Sequence, residues 1–323
     1  MVLITKEKAA QKKVLVTGGA GFIGSNLCLL LLEKGYTVYA VDNFVTGNKK
    51  NVAVLRGNSN FKFYELDITA PEFIAAMQEV SLHYIFHLAC PTGVPNIAKL
   101  GKEMLLTSAL GTFNVMELAR RQKARVVFTS SCEVYGQPEN FPQKESYNGN
   151  VNPIGPRSPY EEGKRFAESV VAYYVRKYGA KAVIVRFFNV YGPGMSLGDQ
   201  RVIPQFINSI LNKQELTIYG DGRQSRSFLY VDDATSGLLT VLAKGAVGEV
   251  YNVGSEKEIS IRDLADLIKT ICRQKNGIKF APHFIEDHHS RCPSTLKLKS
   301  LGWQPLVNLE EGLIKMKDSL QSL

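Results

Sequence analysis

No apolar run in this chain approaches the ~20 residues needed to span a bilayer, so no membrane-embedded segment is expected. The first eleven residues hold no apolar stretch followed by a small-residue cleavage site, and no secretion leader is expected. Cysteine is sparse: Cys28, Cys90, Cys132, Cys272 and Cys292 are scattered, odd in number and never in CxxC spacing. That argues against a disulfide framework and a cysteine zinc site, and for reduced thiols in the cytoplasm. His283, His288 and His289 crowd one loop region but lack ordered carboxylate or cysteine partners, so they read as solvated and no metal is expected. Repeats and low-complexity linkers are absent as well. The net charge of +9 comes from dispersed basic residues without a DNA- or RNA-binding motif, so nucleic acid is not the expected partner. Doubly anionic small ligands are enough to account for it.

What is present is ordinary globular material: 323 residues, 45% apolar and 21% charged, enough for one large domain or two modest ones. Residues 13–17, 37–42, 61–65, 84–87, 125–130 and 182–186 are short and rich in β-branched and aromatic side chains. Helical patterns separate most of them. This rhythm predicts an α/β protein, a Rossmann-type doubly wound parallel sheet covered on both faces. After Arg186 the rhythm breaks, with helices expected over 204–211 and 261–274. The expected organisation is a dinucleotide-binding domain over 1–188, with a return segment near 228–252. A smaller C-terminal substrate-binding lobe is expected from 189–227 and 253–323.

Gly18, Gly21 and Gly24 follow an apolar strand and lead through Phe22 and Ile23 into a helix, which Gly35 is placed to end. Glycine is needed where the backbone turns tightly and approaches a pyrophosphate, and the helix N-terminus offers N–H groups to the anion. Asp42, closing the next strand beside Asn43, can accept hydrogen bonds from ribose hydroxyls and would repel a 2′-phosphate, so NAD is expected over NADP. Asp67 and Ile68 are expected near the adenine, and Leu88 and Ala89 near the nicotinamide end. His87 reads as a packed strand residue.

Ser158-Pro159-Tyr160 looks like a helix start, with Ser158 as the cap. Tyr160 and Lys164 then share one face at i and i+4. A free phenol titrates near ~10, too high for a base at neutral pH, and a neighbouring ammonium favours the phenolate. The strand over 125–130 runs into Ser131, whose hydroxyl can hydrogen-bond a reacting alcohol. Phe166, Val170, Val171 and Tyr174 continue the helix as a core or dimer face.

Together Gly18–Gly24, Asp42, Ser131, Tyr160 and Lys164 resemble the extended short-chain dehydrogenase/reductase family, whose members modify nucleotide sugars. The resemblance runs from Lys13 to about Gly312. Within it, Asn150-Val151-Asn152-Pro153-Ile154-Gly155-Pro156-Arg157 and Ser131-Cys132-Glu133-Val134-Tyr135-Gly136 are similar to the UDP-glucuronate decarboxylase subgroup. That resemblance implies oxidation of a UDP-sugar at C4 by NAD, loss of CO2 and re-reduction. It implies that Tyr160 acts as base, Lys164 and Ser131 assist it, and Glu133 and Arg226 serve decarboxylation. Thr92, Asn189, Arg201, Tyr219, Arg226 and Arg291 are implied to contact the UDP-sugar, and two chains are implied to pair as a homodimer.

Departures from the subgroup are Ile97 for tyrosine, Cys132 for serine or threonine, Ser108 for asparagine, Gly194 for arginine and Ser294 for a helix-capping aspartate. Ile97 and Cys132 border the substrate and leave a UDP-sugar 4-epimerase as the alternative. A 4,6-dehydratase needs an Asp-Glu pair where this chain has Cys132-Glu133. A non-catalytic NAD-binding protein would have no use for Ser131, Tyr160 and Lys164 together.

Overall fold

Strand β1 (Lys13–Thr17) is buried from Val14 onward, because helices cover both faces of the sheet it belongs to. The computed structural model describes residues 12–196, 198–282 and 291–321. The histidine loop at 283, 288 and 289 lies outside the described residues. Five further strands, β2 (Thr37–Asp42), β3 (Phe61–Glu65), β4 (Tyr84–His87), β5 (Arg125–Ser131) and β6 (Ala182–Phe187), join β1. A late strand, Val250–Val253, pairs with β6. The order is Val250–Val253, β6, β5, β4, β1, β2, β3, and every neighbouring pair is parallel.

Alternation along β1 sorts the core. Val14 and Val16 face one hydrophobic cluster with Leu27, Leu31 and Leu238; Leu15 faces the other with Phe73, Val115 and Val170. Strand order reverses between β1 and β4, so the carboxyl ends of those strands splay into a crevice, the usual ligand position in such sheets.

The expected strands are present; β5 and β6 each run one residue further, to Ser131 and Phe187. The helix expected from 204 starts at Val202, and the one expected to 274 ends at Cys272, where Arg273 turns left-handed at φ 52°. Beyond β6, short strand pairs such as Leu216–Tyr219 with Ile278–Ala281 support these helices. Two expected caps are corrected. Ser158 is the first residue of the Ser158–Tyr178 helix and Arg157 holds the cap position, with no side-chain capping bond. Ser294 does not cap the Leu296–Lys299 helix; Thr295 stands at that position, and the Ser294 amide donates to the Gln143 carbonyl. Among the described residues, no helix is long and apolar enough to cross a membrane.

Candidate active site

The β1 turn is built so that side chains would obstruct it. Gly18 has φ 73°, and a Cβ there would stand 2.9 Å from the Ala89 amide nitrogen. A Cβ at Gly24 would collide with the Gly18 carbonyl oxygen. Gly21 precedes the Phe22–Glu33 helix and no side chain caps that helix, so its first N–H groups are open to an anion. Asp42 accepts from the Ala20 amide at 3.0 Å and the Phe44 amide at 2.8 Å. Burial pushes its carboxyl pKa up, and the amides of Phe44, Ala20 and Gly21 oppose the rise. Asn43 donates to Asp67 at 2.9 Å, and Thr69 donates to Asp67 from both its amide and hydroxyl at 2.7 Å. Burial works against ionised Asp67, but the bonds from Thr69 and Asn43 outweigh it and hold its pKa down. A bare glycine turn, an open helix N-terminus and two acceptors at the strand ends fit a dinucleotide.

Across the crevice, the Ser158–Tyr178 helix presents Tyr160 and Lys164. The Lys164 ammonium is buried, donates to the Thr129 carbonyl at 2.9 Å and lies 5.2 Å from the Phe128 ring centroid. Ser131, at the end of β5, hydrogen-bonds Tyr160 and also accepts from the Glu133 amide at 3.3 Å. Burial above all, then nearby Cys90, pushes the Tyr160 phenol well above its ordinary value, while the Ser131 bond pulls the other way.

Beside this cluster Glu133 sits between two guanidinium groups. Arg157 reaches it at 2.6 Å, and Arg291 binds it bidentately at 2.5 and 2.8 Å. Arg157 also donates to Glu161 at 2.9 Å, and Arg291 lies 3.2 Å from the Cys132 sulfur. Burial opposes the Glu133 charge, but Arg291 and Arg157 win and hold its carboxyl far below the usual range. It is therefore ionised at neutral pH. Sequence reasoning missed Arg157; its position three residues before Tyr160, inside a quoted motif, was the available signal.

One cavity of about 760 Å³ runs from the glycine turn to these arginines. Every expected cofactor, catalytic and substrate residue lines it except Tyr219, which ends the Leu216–Tyr219 strand outside the lining. Thr92 follows β4, Asn189 follows β6, and Arg201 and Arg226 come from the segments beyond β6. Arg201 is held by Asp199 at 2.5 Å, and Arg226 donates to the Ser225 carbonyl at 2.7 Å. Ile97 and Cys132 are part of the same wall.

Residues 14–254 match the NAD dependent epimerase/dehydratase family. The chain belongs to that family. UDP-glucuronic acid decarboxylase 6 of Arabidopsis thaliana is 41% identical over 313 residues, covering 96% of this chain and 89% of the relative. UDP-glucuronic acid decarboxylase 1 of Danio rerio is 42% identical over 306 residues, covering 94% and 72%. Among solved structures, UDP-glucose 4-epimerase of Thermotoga maritima superposes with a TM-score of 0.89 at 31% identity, covering 96% of this chain and 99% of that one. UDP-glucuronic acid 4-epimerase of Bacillus cereus gives 0.86 at 29% identity, covering 96% and 99%.

In this epimerase/dehydratase family member, His87 is a packed residue. Its Nδ1 lies 2.8 Å from the Thr17 hydroxyl and its Nε2 3.2 Å from the Thr112 hydroxyl. Burial, helped by the Lys164 charge, pushes it down to about 3. The unfolded chain therefore takes up a proton at His87 below pH 6.5 that the folded protein refuses. Stability falls with pH in that window, by up to ~1.4 kcal/mol per unit from this group. Calorimetry at pH 7 and 5 is expected to show a smaller loss of Tm for His87→Gln than for the wild type; equal losses would contradict the assignment.

Proposed function

We propose that this enzyme converts UDP-glucuronate to UDP-xylose and CO2. The observation that carries the reading is the Glu133–Arg157–Arg291 cluster beside Ser131 and Tyr160. In this reading residues 1–188 and the return segment near 228–252 bind NAD, and 189–227 with 253–323 bind the nucleotide sugar. Gly18, Gly21 and Gly24 hold the diphosphate of NAD, and Asp42 the ribose. Bound NAD supplies a hydride acceptor at the start of the cycle and a hydride donor at its end.

Tyr160 takes the proton of the sugar 4-hydroxyl as that carbon is oxidised. Ser131 fixes the 4-oxygen, and Lys164, anchored on the Thr129 carbonyl, favours the phenolate. The 4-keto uronate is a β-keto acid, so the C5–carboxyl bond can break with its electron pair spreading onto the C4 oxygen. Tyr160, now protonated, and Ser131 donate hydrogen bonds to that developing oxyanion; C5 then takes a proton from water, and Tyr160 returns its proton to the 4-oxygen as C4 is reduced again. Arg157 and Arg291 are already balanced by Glu133 and Glu161, so a substrate carboxylate brought to this corner has no spare counter-charge, and its departure as CO2 relieves the excess. A 4-epimerase is the second reading, favoured by Ile97 in the cavity wall; it gives the Glu133 cluster no task.

Incubation with NAD and either UDP-glucuronate or UDP-glucose, followed by proton NMR, tests the choice. Only the uronate is expected to react, giving UDP-xylose. Interconversion of UDP-glucose and UDP-galactose would overturn the reading.

The assembly we propose is a homodimer. Leu105, Leu110, Phe113, Phe166 and Tyr173 are exposed on four helical segments, with the Phe113 and Phe166 rings 6.3 Å apart. A contiguous apolar face of this kind favours a partner. Phe166→Glu is expected to shift the mass in sedimentation equilibrium to that of one chain; an unchanged dimer would place the interface elsewhere. Five free thiols support a cytoplasmic setting.

A further inference from the structure

The amino ends of the central strands, opposite the site above, frame a second cavity of about 640 Å³. Its cations come from four separate elements. Lys12 precedes β1, Arg125 opens β5, Lys181 precedes β6, and Lys123 sits in the left-handed turn after the Thr112–Gln122 helix. His83, Tyr84, Gln78 and Gln122 add polar groups, and no carboxylate lines the cavity. Among the described residues, Lys12, Lys123, Lys181 and Arg125 have no acidic partner within 4.0 Å.

One ring donor there is unspent. Arg125 donates through Nη2 to the Val241 and Gly245 carbonyls, which fixes its guanidinium at this edge. His83 accepts the Lys13 amide on Nδ1 at 3.2 Å, so its neutral ring carries the proton on Nε2. Burial, then Lys12 and Lys13, hold its pKa below the ordinary value. The helices Pro71–Gln78 and Thr112–Gln122 end at this edge, and their carbonyl ends explain an attraction for Lys123. They leave Lys12, Lys181 and Arg125 on the same cavity wall with no carboxylate among its lining residues.

We propose that this cavity binds a small polyanion bearing phosphate groups, at a site distinct from the catalytic one. Guanidinium, ammonium and imidazole donors from several directions suit a multiply charged tetrahedral oxyanion. A monocarboxylate would leave most of the cations unmatched. The seven residues of β5 put ~20 Å between Arg125 and Ser131, so the ligand does not share the catalytic cavity.

Inorganic tripolyphosphate, titrated into the full chain with NAD and UDP saturating the first site, tests this. His83 is followed by NMR, with His83→Gln for assignment. The groups facing it are Lys12, Lys13, Tyr84, Lys123, Arg125 and Lys181, whose positive field a bound polyanion offsets. A saturable shift of His83 is expected, with its apparent pKa raised by about one unit. The double variant Lys123→Ala/Lys181→Ala is expected to weaken binding about tenfold or more while still binding NAD. No saturable shift at millimolar concentration, an equal shift from sodium chloride at matched ionic strength, or unchanged affinity in the double variant would overturn the proposal.

Discussion

Tyr160→Phe is expected to lower turnover of UDP-glucuronate by about 10²–10⁴-fold, the range of a lost general acid–base group. The change removes one oxygen and keeps the ring, so NAD affinity measured by calorimetry is expected to stay near the wild-type value. The loss falls on oxidation, because the phenol is the group proposed to take the 4-hydroxyl proton. Ser131, which hydrogen-bonds Tyr160, remains and cannot replace it. Burial pushes the Tyr160 phenol up, so the enzyme depends on positive charge to bring the phenolate into reach. Lys164→Met therefore moves the rising limb of the kcat/KM profile to higher pH. Full activity in Tyr160→Phe would assign the proton to a different group and remove the proposed base.

Glu133→Gln has the second largest expected effect, and it separates the two halves of the reaction. The carboxylate is held by Arg291 at 2.5 Å and Arg157 at 2.6 Å, with all three side chains largely buried. Removing its charge leaves two guanidinium groups facing each other, a cost of about 3–5 kcal/mol when a buried pair loses one partner. CO2 release is expected to fall by about 10²-fold or more, because the two guanidinium groups freed from Glu133 hold the substrate carboxylate in its ground state. Oxidation at C4 depends on Tyr160 and Ser131, so reduced cofactor is expected to accumulate in a single turnover and then stall. Equal slowing of both steps would strip Glu133 of a role specific to decarboxylation. The pair also shapes acid stability. A carboxylate whose folded pKa is depressed stabilises above its unfolded value of about 4.5, and that stability is lost as pH falls below it. His87 acts in the same direction at slightly higher pH.

The parallel sheet was legible because each buried strand writes itself as a short β-branched run, as in Val14-Leu15-Val16 and Val126-Val127-Phe128. The glycine turn was legible because sterics leave few alternatives at Gly18 and Gly24. What stayed hidden is made by contacts far apart in the chain. Glu133 and Arg291 are 158 positions apart, and no local pattern pairs them. Arg157 was hidden by its neighbours: Ser158 and Pro159 read as a cap and first turn, while the structure gives the cap position to an arginine committed to Glu133 and Glu161. The π-helical segment Thr107–Gly111 was also unreadable. It passes close to the catalytic helix, where a Cβ on Gly163 would come within 3.1 Å of the Ser108 hydroxyl. Tyr219 illustrates the opposite limit, since a matching motif position did not bring its side chain into the cavity.

The most direct measurement follows UDP-glucuronate labelled with ¹³C at the carboxyl carbon through a reaction with NAD and the wild-type enzyme. The label is expected to leave as bicarbonate in step with UDP-xylose, one for one. Label retained on the sugar, with UDP-galacturonate as product, would contradict the decarboxylase assignment.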